Sequence, residues 1–440
     1  MVHFSKALEY ESSYPLGFKK YSIHRKMEVY KKMKKEINRR NAIKSTIAAG
    51  AVLAAPQFVS PSVFGANERL VMGLIGSGGR GCDVMRMCQR NEAVFVAISD
   101  VTEPKIAAGI KEAKRNNDGE IEVYRDFNKL LERNDIDAVV IGTPEHQHCR
   151  QMVAAVQAGK DVYCEKPMSH TIEEGAWTVR EVRKTKQIVQ IGMQRRSAPL
   201  IREGLKVMQS GVLGDITFVK AQWNWNASGP QNNKPLGYEV DWERFQWPNE
   251  GLEFQPKYVR NWRVFWPFSG GISNDQGTHI MDVVQWYAGQ VTPLEADAFG
   301  FIKQMEGADT PDVFTTTLRY PSFIATWTIN YTSNYYDWWH IMFQGVDGTM
   351  HLHQRGFQVY LDKDKPKDSD FPGEPHIDFK GDLPSQEHVD NFIECIKSRN
   401  EPNAPVEVGH TAVCGPHLAN VAFRNGKRAK LNPEATEVTV

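Results

Sequence analysis

Gly73 to Met85 reads GLIGSGGRGCDVM, and no other stretch restricts the possible folds as much. Gly76-Ser77-Gly78-Gly79-Arg80-Gly81 fits G-x-G-x-x-G, a weak signal when taken alone. Its context supplies the constraint. An apolar run, Leu70–Ile75, ends at the first glycine, and a helical pattern, Cys82–Arg90, follows the last. Asp100 then closes the next apolar run, about 20 residues on. Strand, glycine turn, helix, strand and acid make the opening of a dinucleotide-binding βαβ unit. Gly76 permits the tight turn, Gly78 lets backbone approach a pyrophosphate, and Gly81 lets the helix pack on the strand. The first N–H groups of the helix then meet the negative charge. Asp100 suits two ribose hydroxyls and repels a 2′-phosphate, so NAD is expected over NADP.

The alternation continues. Val94–Ser99, Ala138–Gly142, Val162–Cys164 and Ile188–Ile191 read as buried strands. Pro104–Arg115, Phe127–Arg133, His148–Ala158 and Ile172–Lys186 read as the helices between them. This predicts an α/β Rossmann domain over 67–192, a doubly wound parallel sheet covered on both faces. After about Gln194 the texture changes. Ile216–Trp225, Phe314–Tyr320 and Phe323–Tyr331 are aromatic and alternating, as antiparallel strands with one wet face should be. Helices are expected at Thr278–Tyr287 and Glu387–Ser398, and Asp347-Gly348 marks a hairpin turn. Residues 193–440 therefore read as an α+β domain with a mostly antiparallel open sheet.

Lys plus Arg and Asp plus Glu both number 53, so no global basic field draws in nucleic acid, and no reader motif is present. Cys82, Cys88, Cys149, Cys164, Cys395 and Cys414 form no CxxC or finger-like spacing, and they read as buried thiols. His146 and His148 make an isolated HxH with no third ligand, and His351 and His353 share one face of a strand and read as structural. No metal is expected.

Arg39-Arg40 precedes an apolar run from Ile47 to Val59, broken by Pro56 and Pro61, with small residues at Gly65 and Ala66. Too short to span a bilayer, the segment resembles a twin-arginine (Tat) signal peptide within residues 1–66. The alternative is an uncleaved amphipathic anchor. MKKEINRR from Met33 makes a typical signal start, so Met33 is the expected true start. The expected location is the periplasm, with the Tat machinery as a partner.

Cys164-Glu165-Lys166-Pro167 follows a strand, and strand C-termini face the ligand crevice in such sheets. GGISNDQGTHIMD from Gly270 to Asp282 sets Asp275 and His279 four apart, on one helical face. With GSGGRG, GTPEHQH, AGKDVYCEKP and NWR, these stretches resemble the Gfo/Idh/MocA oxidoreductase family over about 68–430. The resemblance implies that Lys166 orients the reacting hydroxyl and steadies its developing charge. It implies His279 as general acid/base, with Asp275 binding substrate and orienting the histidine. It also implies Thr143, Pro144, His148, Glu165 and Gln194 near the cofactor beside Ser77, Gly79 and Arg80, with a helix cap as the alternative for His148, and Trp262 and Arg263 near the substrate. A dimer or tetramer built on the second domain's sheet is implied as well. The residue types suit the chemistry: an imidazole takes a carbinol proton, and an ammonium stabilises the alkoxide.

Trp223, Trp225, Trp242, Trp247, Trp262, Trp266 and Trp286 are interleaved with Asn224, Asn226, Asn261 and Arg263. Flat rings and amides suit a sugar, although core packing must account for many of these rings. Residues 227–258, rich in Pro, Gly and Asn, are expected to form a lid or rim. An exported enzyme meets little free NAD, so the cofactor is expected to be tightly bound and recycled within each cycle. The reading is an oxidoreductase acting on a sugar hydroxyl. The alternatives are an NAD-dependent glycosidase (oxidation, elimination, water addition, re-reduction) and a non-catalytic sugar or redox sensor.

Overall fold

The computed structural model describes residues 69–335, 338–369 and 373–440. The expected signal segment lies outside the described residues.

Six parallel strands form the first sheet: β1 Val71–Ile75, β2 Val94–Ser99, β3 Glu122–Tyr124, β4 Ala138–Ile141, β5 Asp161–Cys164 and β6 Val189–Ile191. Their order is β3-β2-β1-β4-β5-β6, a doubly wound sheet whose direction reverses beside β1. Both faces are covered, so the central strands are apolar throughout: all four residues of β4 are buried. The connecting helices are α1 Gly79–Gln89, α2 Glu103–Ala113, α3 Phe127–Leu131, α4 Glu145–Gln157 and α5 Ile172–Val182. They sit where periodicity put them, with ends shifted by a few residues.

The second sheet has ten strands. After α6 Pro199–Gln209 come β7 Ile216–Asn224, α7 Trp242–Gln246, α8 Pro256–Arg260 and α9 Gly271–Tyr287. The rest of the sheet is β8 Glu295–Phe301, β9 Val313–Arg319, β10 Ile324–Asn330, β11 Trp338–Gly345, β12 Gly348–His353, β13 Gly356–Leu361 and β14 Ile377–Lys380. α10 Gln386–Ser398 and α11 Val406–Asn425 follow, and β15 Ala429–Leu431 and β16 Val438–Thr439 complete it. Neighbouring strands run antiparallel except β7 and β10. Alternation decides the faces: Ala325, Trp327 and Ile329 of β10 point into the core, and Thr326 and Thr328 point away.

Two differences from the sequence reading matter for the site. The helix expected at Thr278 begins at Gly271, so Asp275 lies within it. Ser273, Asn274 and Asp275 are all buried. Gly271, at φ +80, turns the chain into the helix, and the Trp327 Nε1–H donates to the Ser273 carbonyl at 3.0 Å. Part of the expected second domain, 193–440, also packs on the first. Phe392, Ile393 and Ile396 of α10 share a core with Met85, Cys88 and Phe95, and Arg399 holds Asp161 with bonds of 2.6 and 3.0 Å. α10 and Arg399 thus pack on the first domain. No helix was expected at α11, where Gly, His and an internal Pro416 hide the period.

Candidate active site

The first glycine turn is built as its spacing demands. Gly76 has φ +86, and a Cβ there would lie 2.6 Å from the Thr143 nitrogen. A Cβ on Gly81 would lie 2.1 Å from the Gly76 carbonyl oxygen, so the helix can approach only without one. At Gly78 and Gly79 a Cβ would meet nothing within 4 Å, because both border an open cleft of about 1350 Å³. No side chain caps α1, and its first turn holds no acid, so its leading N–H groups are free for a ligand. Gly81→Ala should therefore destabilise the protein by about 2 kcal/mol or more and empty the cleft. Thermal melting and dinucleotide content check this, and wild-type values in both would contradict the packing.

Asp100 lines the cleft at the end of β2. Its Oδ2 accepts from the Ser77 N–H at 2.9 Å, and its Oδ1 accepts from the Thr102 N–H at 3.0 Å. The carboxylate assigned to the ribose also closes the glycine loop onto β2. Burial pushes it above the usual carboxylate range, and the two N–H donors pull the other way. Ser77 is buried behind the loop, whereas Thr143, Pro144, Arg80 and Glu165 line the cleft. Arg80 Nε meets Glu165 Oε1 at 2.7 Å.

His148 does not itself line the cleft. Its ring bridges the Thr143 oxygen at 2.8 Å and the Pro167 oxygen at 2.7 Å, fixing two loops from behind. Gln147 and Gln151, one turn apart, line the cleft instead. Gln147 Nε2 also reaches the carbonyl oxygens of Arg244, Phe245 and Trp247 at 2.7, 3.1 and 3.1 Å. Those three belong to the expected rim. Val240 bridges to Thr102, Asp241 N–H donates to the Val101 carbonyl at 3.0 Å, and Tyr238, Glu243, Arg244 and Trp247 face the cleft. The rim therefore straps over the dinucleotide cleft.

Lys166 and Gln194 line both this cleft and a second cavity of about 450 Å³. At the junction, Lys166 Nζ lies 2.8 Å from Asp275 Oδ1 and 3.0 Å from the Asp275 carbonyl oxygen. Burial alone would raise Asp275, but the charges of Lys166 and Arg263 outweigh it and hold the carboxyl below its usual range. Arg263 is the more distant, with Nε at 3.7 Å. His279, one turn along α9, lines the second cavity, and its Nδ1 is buried without a partner. Burial first, then Lys166 and Arg195, push its pKa well below the ordinary imidazole value, so the ring is neutral at pH 7. Trp262 and Arg263 border the larger cleft rather than the second cavity, with the guanidinium 4.2 Å over the indole.

The tryptophan belt divides. Trp223 and Trp225 line the second cavity, joined by Trp338 and Trp339 from β11, which lie outside the belt. Trp242 stacks in the core of the strap on Phe245 and Tyr258, and Trp247 borders the larger cleft. Trp266 lies under Arg424 and Trp286 under Arg196. Glu145 also escaped the sequence reading. It is buried, accepts from the Gly270 N–H and the Asn274 amide, and so seats the start of α9 against α4. Burial pushes its carboxyl up to about 8.

The model described as "Oxidoreductase family, NAD-binding Rossmann fold" matches residues 70–193, and the Gfo/Idh/MocA C-terminal domain matches residues 201–351. Inositol 2-dehydrogenase 4 of Saccharopolyspora erythraea is 32% identical over 170 residues, covering 37% of this chain and 48% of that one. The chain's matches span about half the length of such curated relatives. Two solved structures share the fold. One is a levoglucosan dehydrogenase with NADH and levoglucosan, 19% identical at TM-score 0.62, covering 82% of this chain and 99% of that one. The other is an aldose-aldose oxidoreductase from Caulobacter crescentus, 19% identical at TM-score 0.61, covering 83% and 100%. With the two family models covering more than half its length in the family's order, the chain belongs to the Gfo/Idh/MocA oxidoreductases, with their NAD-binding Rossmann domain first and their C-terminal domain after it.

Proposed function

We propose that the protein is an NAD-dependent oxidoreductase acting on a hydroxyl of a sugar or sugar derivative, with a tightly held cofactor recycled in each catalytic cycle. The observation that carries this is the meeting of Lys166, Asp275 and His279 where the two cavities join. Gly76, Gly78, Gly79, Asp100 and the open N-terminus of α1 would hold the dinucleotide. NAD, when bound, supplies the hydride acceptor. Neutral His279 accepts the hydroxyl proton of a substrate seated in the smaller cavity. The Lys166 ammonium, held by two oxygens of Asp275, donates to the oxygen as it becomes an alkoxide. Asp275 stays ionised beneath both, fixing the lysine and offering a carboxylate edge to a second hydroxyl.

Retention of the cofactor rests on the strap. Residues 238–251 tie to Val101, Thr102, His146 and Gln147 across the cleft, so release requires several hydrogen bonds to open together. This suits export through the twin-arginine route to the periplasm with cofactor already loaded. Phe299 and Phe301, 75% and 57% exposed on the open face of β8, suit a homo-oligomer formed through that sheet.

Protein purified without added cofactor and then denatured should release near-stoichiometric NAD, measured enzymatically in the supernatant. Empty protein that binds NAD weakly would overturn the closed cycle. Sugar pairs and glycosides screened on the loaded protein then separate net oxidoreduction from the glycosidase alternative, because only the latter cleaves a glycoside with no net change in cofactor.

A further inference from the structure

Arg195 follows β6 in the short turn Gln194–Ser197 and is 7% exposed. Its guanidinium carbon lies 4.2 Å from the Trp339 ring centroid and 5.4 Å from that of Trp223. It donates one long bond, from Nη1 to the His279 carbonyl oxygen at 3.4 Å. Among the described residues no carboxylate forms an ion pair with it. The nearby Asp282 is taken by Arg196, at 2.8 Å from Nε and 2.7 Å from Nη2. Burial drags Arg195 down to about 9, with Asp282 opposing from a distance.

A guanidinium carries five N–H donors, and burying it without a counter-charge is unfavourable. Two indoles occupy its surroundings, and Arg195 is part of the wall of the 450 Å³ cavity that His279 and Lys166 also line. The charges there do not cancel. Lys166 and Arg263 both face Asp275, Arg196 faces Asp282, and His279 is neutral, so Arg195 adds positive charge that no carboxylate ion-pairs among the described residues.

We propose that this cavity takes a sugar acid, and that Arg195 is the specificity-determining residue that receives its carboxylate. The inference rests on the reading that the cavity seats the substrate. The two oxygens of a carboxylate match the guanidinium fork.

The test is equilibrium titration of the cofactor-loaded protein, followed by intrinsic fluorescence, since Trp223, Trp225, Trp338 and Trp339 wall the cavity. D-glucuronate and D-galacturonate are compared with D-glucose, D-galactose and D-glucose 6-phosphate at constant ionic strength. The uronates should bind at least about tenfold more tightly than the neutral sugars, equivalent to about 1.4 kcal/mol. In Arg195→Met that ratio should collapse toward one. If that variant fails to fold by circular dichroism, Arg195→Lys carries the test: it keeps the charge, loses the fork, and should retain only part of the preference. Neutral sugars binding as tightly as uronates, a preference for the phosphate, or an undiminished ratio in a folded variant would each overturn the carboxylate site. Reduction of the bound cofactor is read in parallel. If neutral sugars reduce it with no uronate preference, the anion site fails and the dehydrogenase reading stands. Tight, Arg195-dependent uronate binding with no reduction by any sugar supports the anion site and overturns the dehydrogenase reading.

Discussion

Replacing His279 by alanine should lower kcat for sugar oxidation by about 10²–10⁴-fold, the usual contribution of a positioned general base. The cofactor should stay bound, because His279 lines the smaller cavity and not the dinucleotide cleft. The fold should survive as well, since the buried Nδ1 has no hydrogen-bond partner to orphan. Steady-state kinetics on variant protein with confirmed dinucleotide content makes the measurement. Near-normal turnover would remove the base assignment. The wild-type pH profile provides a second reading. A base must be neutral to act, and this imidazole titrates well below its ordinary value. Oxidation should therefore stay level as pH falls from neutral through the ordinary histidine range, and decline only below it. The reverse reduction needs the protonated ring, so it should gain as pH falls through that same low value. A decline of oxidation centred near the ordinary value of about 6.5 would show that the ring is far more solvated than its burial implies.

Lys166→Met should cost about 10²–10³-fold in kcat, the loss seen when one donor to a developing oxyanion is removed. The expected signature is a fall in kcat and kcat/KM together, because the ammonium interacts more strongly with an alkoxide than with a hydroxyl. A rise in KM at unchanged kcat would reassign Lys166 to uniform substrate binding. The variant should show a second change. Asp275 is buried, and Lys166 contributes most to holding its carboxyl low, ahead of Arg263. Without the lysine, burial should win and the carboxyl should titrate upward, so activity left in the variant should become pH-dependent on the alkaline side of the usual carboxylate range. Lys166→Arg keeps a charge, but its planar fork cannot repeat one nitrogen's contacts with both the side-chain and the carbonyl oxygen of Asp275. It should rescue the carboxyl's titration better than it rescues kcat.

The elements legible in the sequence were those whose signal is local. A strand ending at Ile75, a glycine turn and an acid at Asp100 each follow from neighbours along the chain, and the structure puts them together. Lys166 and the Asp275–His279 pair were legible as separate motifs through their resemblance to a family, and folding brings the lysine within 2.8 Å of the aspartate. The misplaced start of α9 shows where local signals fail. No local signal marked residues 271–277 as helix, and the partners that hold that stretch buried, Glu145 and Trp327, lie far away along the chain. His148 shows another limit: its motif position left two roles open, near the cofactor or capping a helix, and only the packing sets its ring against the Thr143 and Pro167 carbonyl oxygens.

By itself, then, the sequence determined the class of fold, the dinucleotide turn and the residue types able to move a proton and steady an alkoxide, because each depends on spacing within one or two elements. Only the tertiary structure decided which residues share a cavity. Trp338 and Trp339 join Trp223 because β11 pairs with β7. The strap closes because Val240 meets Thr102 across the cleft. Among the described residues Arg195 forms no ion pair, while its neighbour Arg196 reaches Asp282. Such contacts link positions far apart along the chain, and no periodicity or motif records them. They follow from which surfaces the packed core brings face to face.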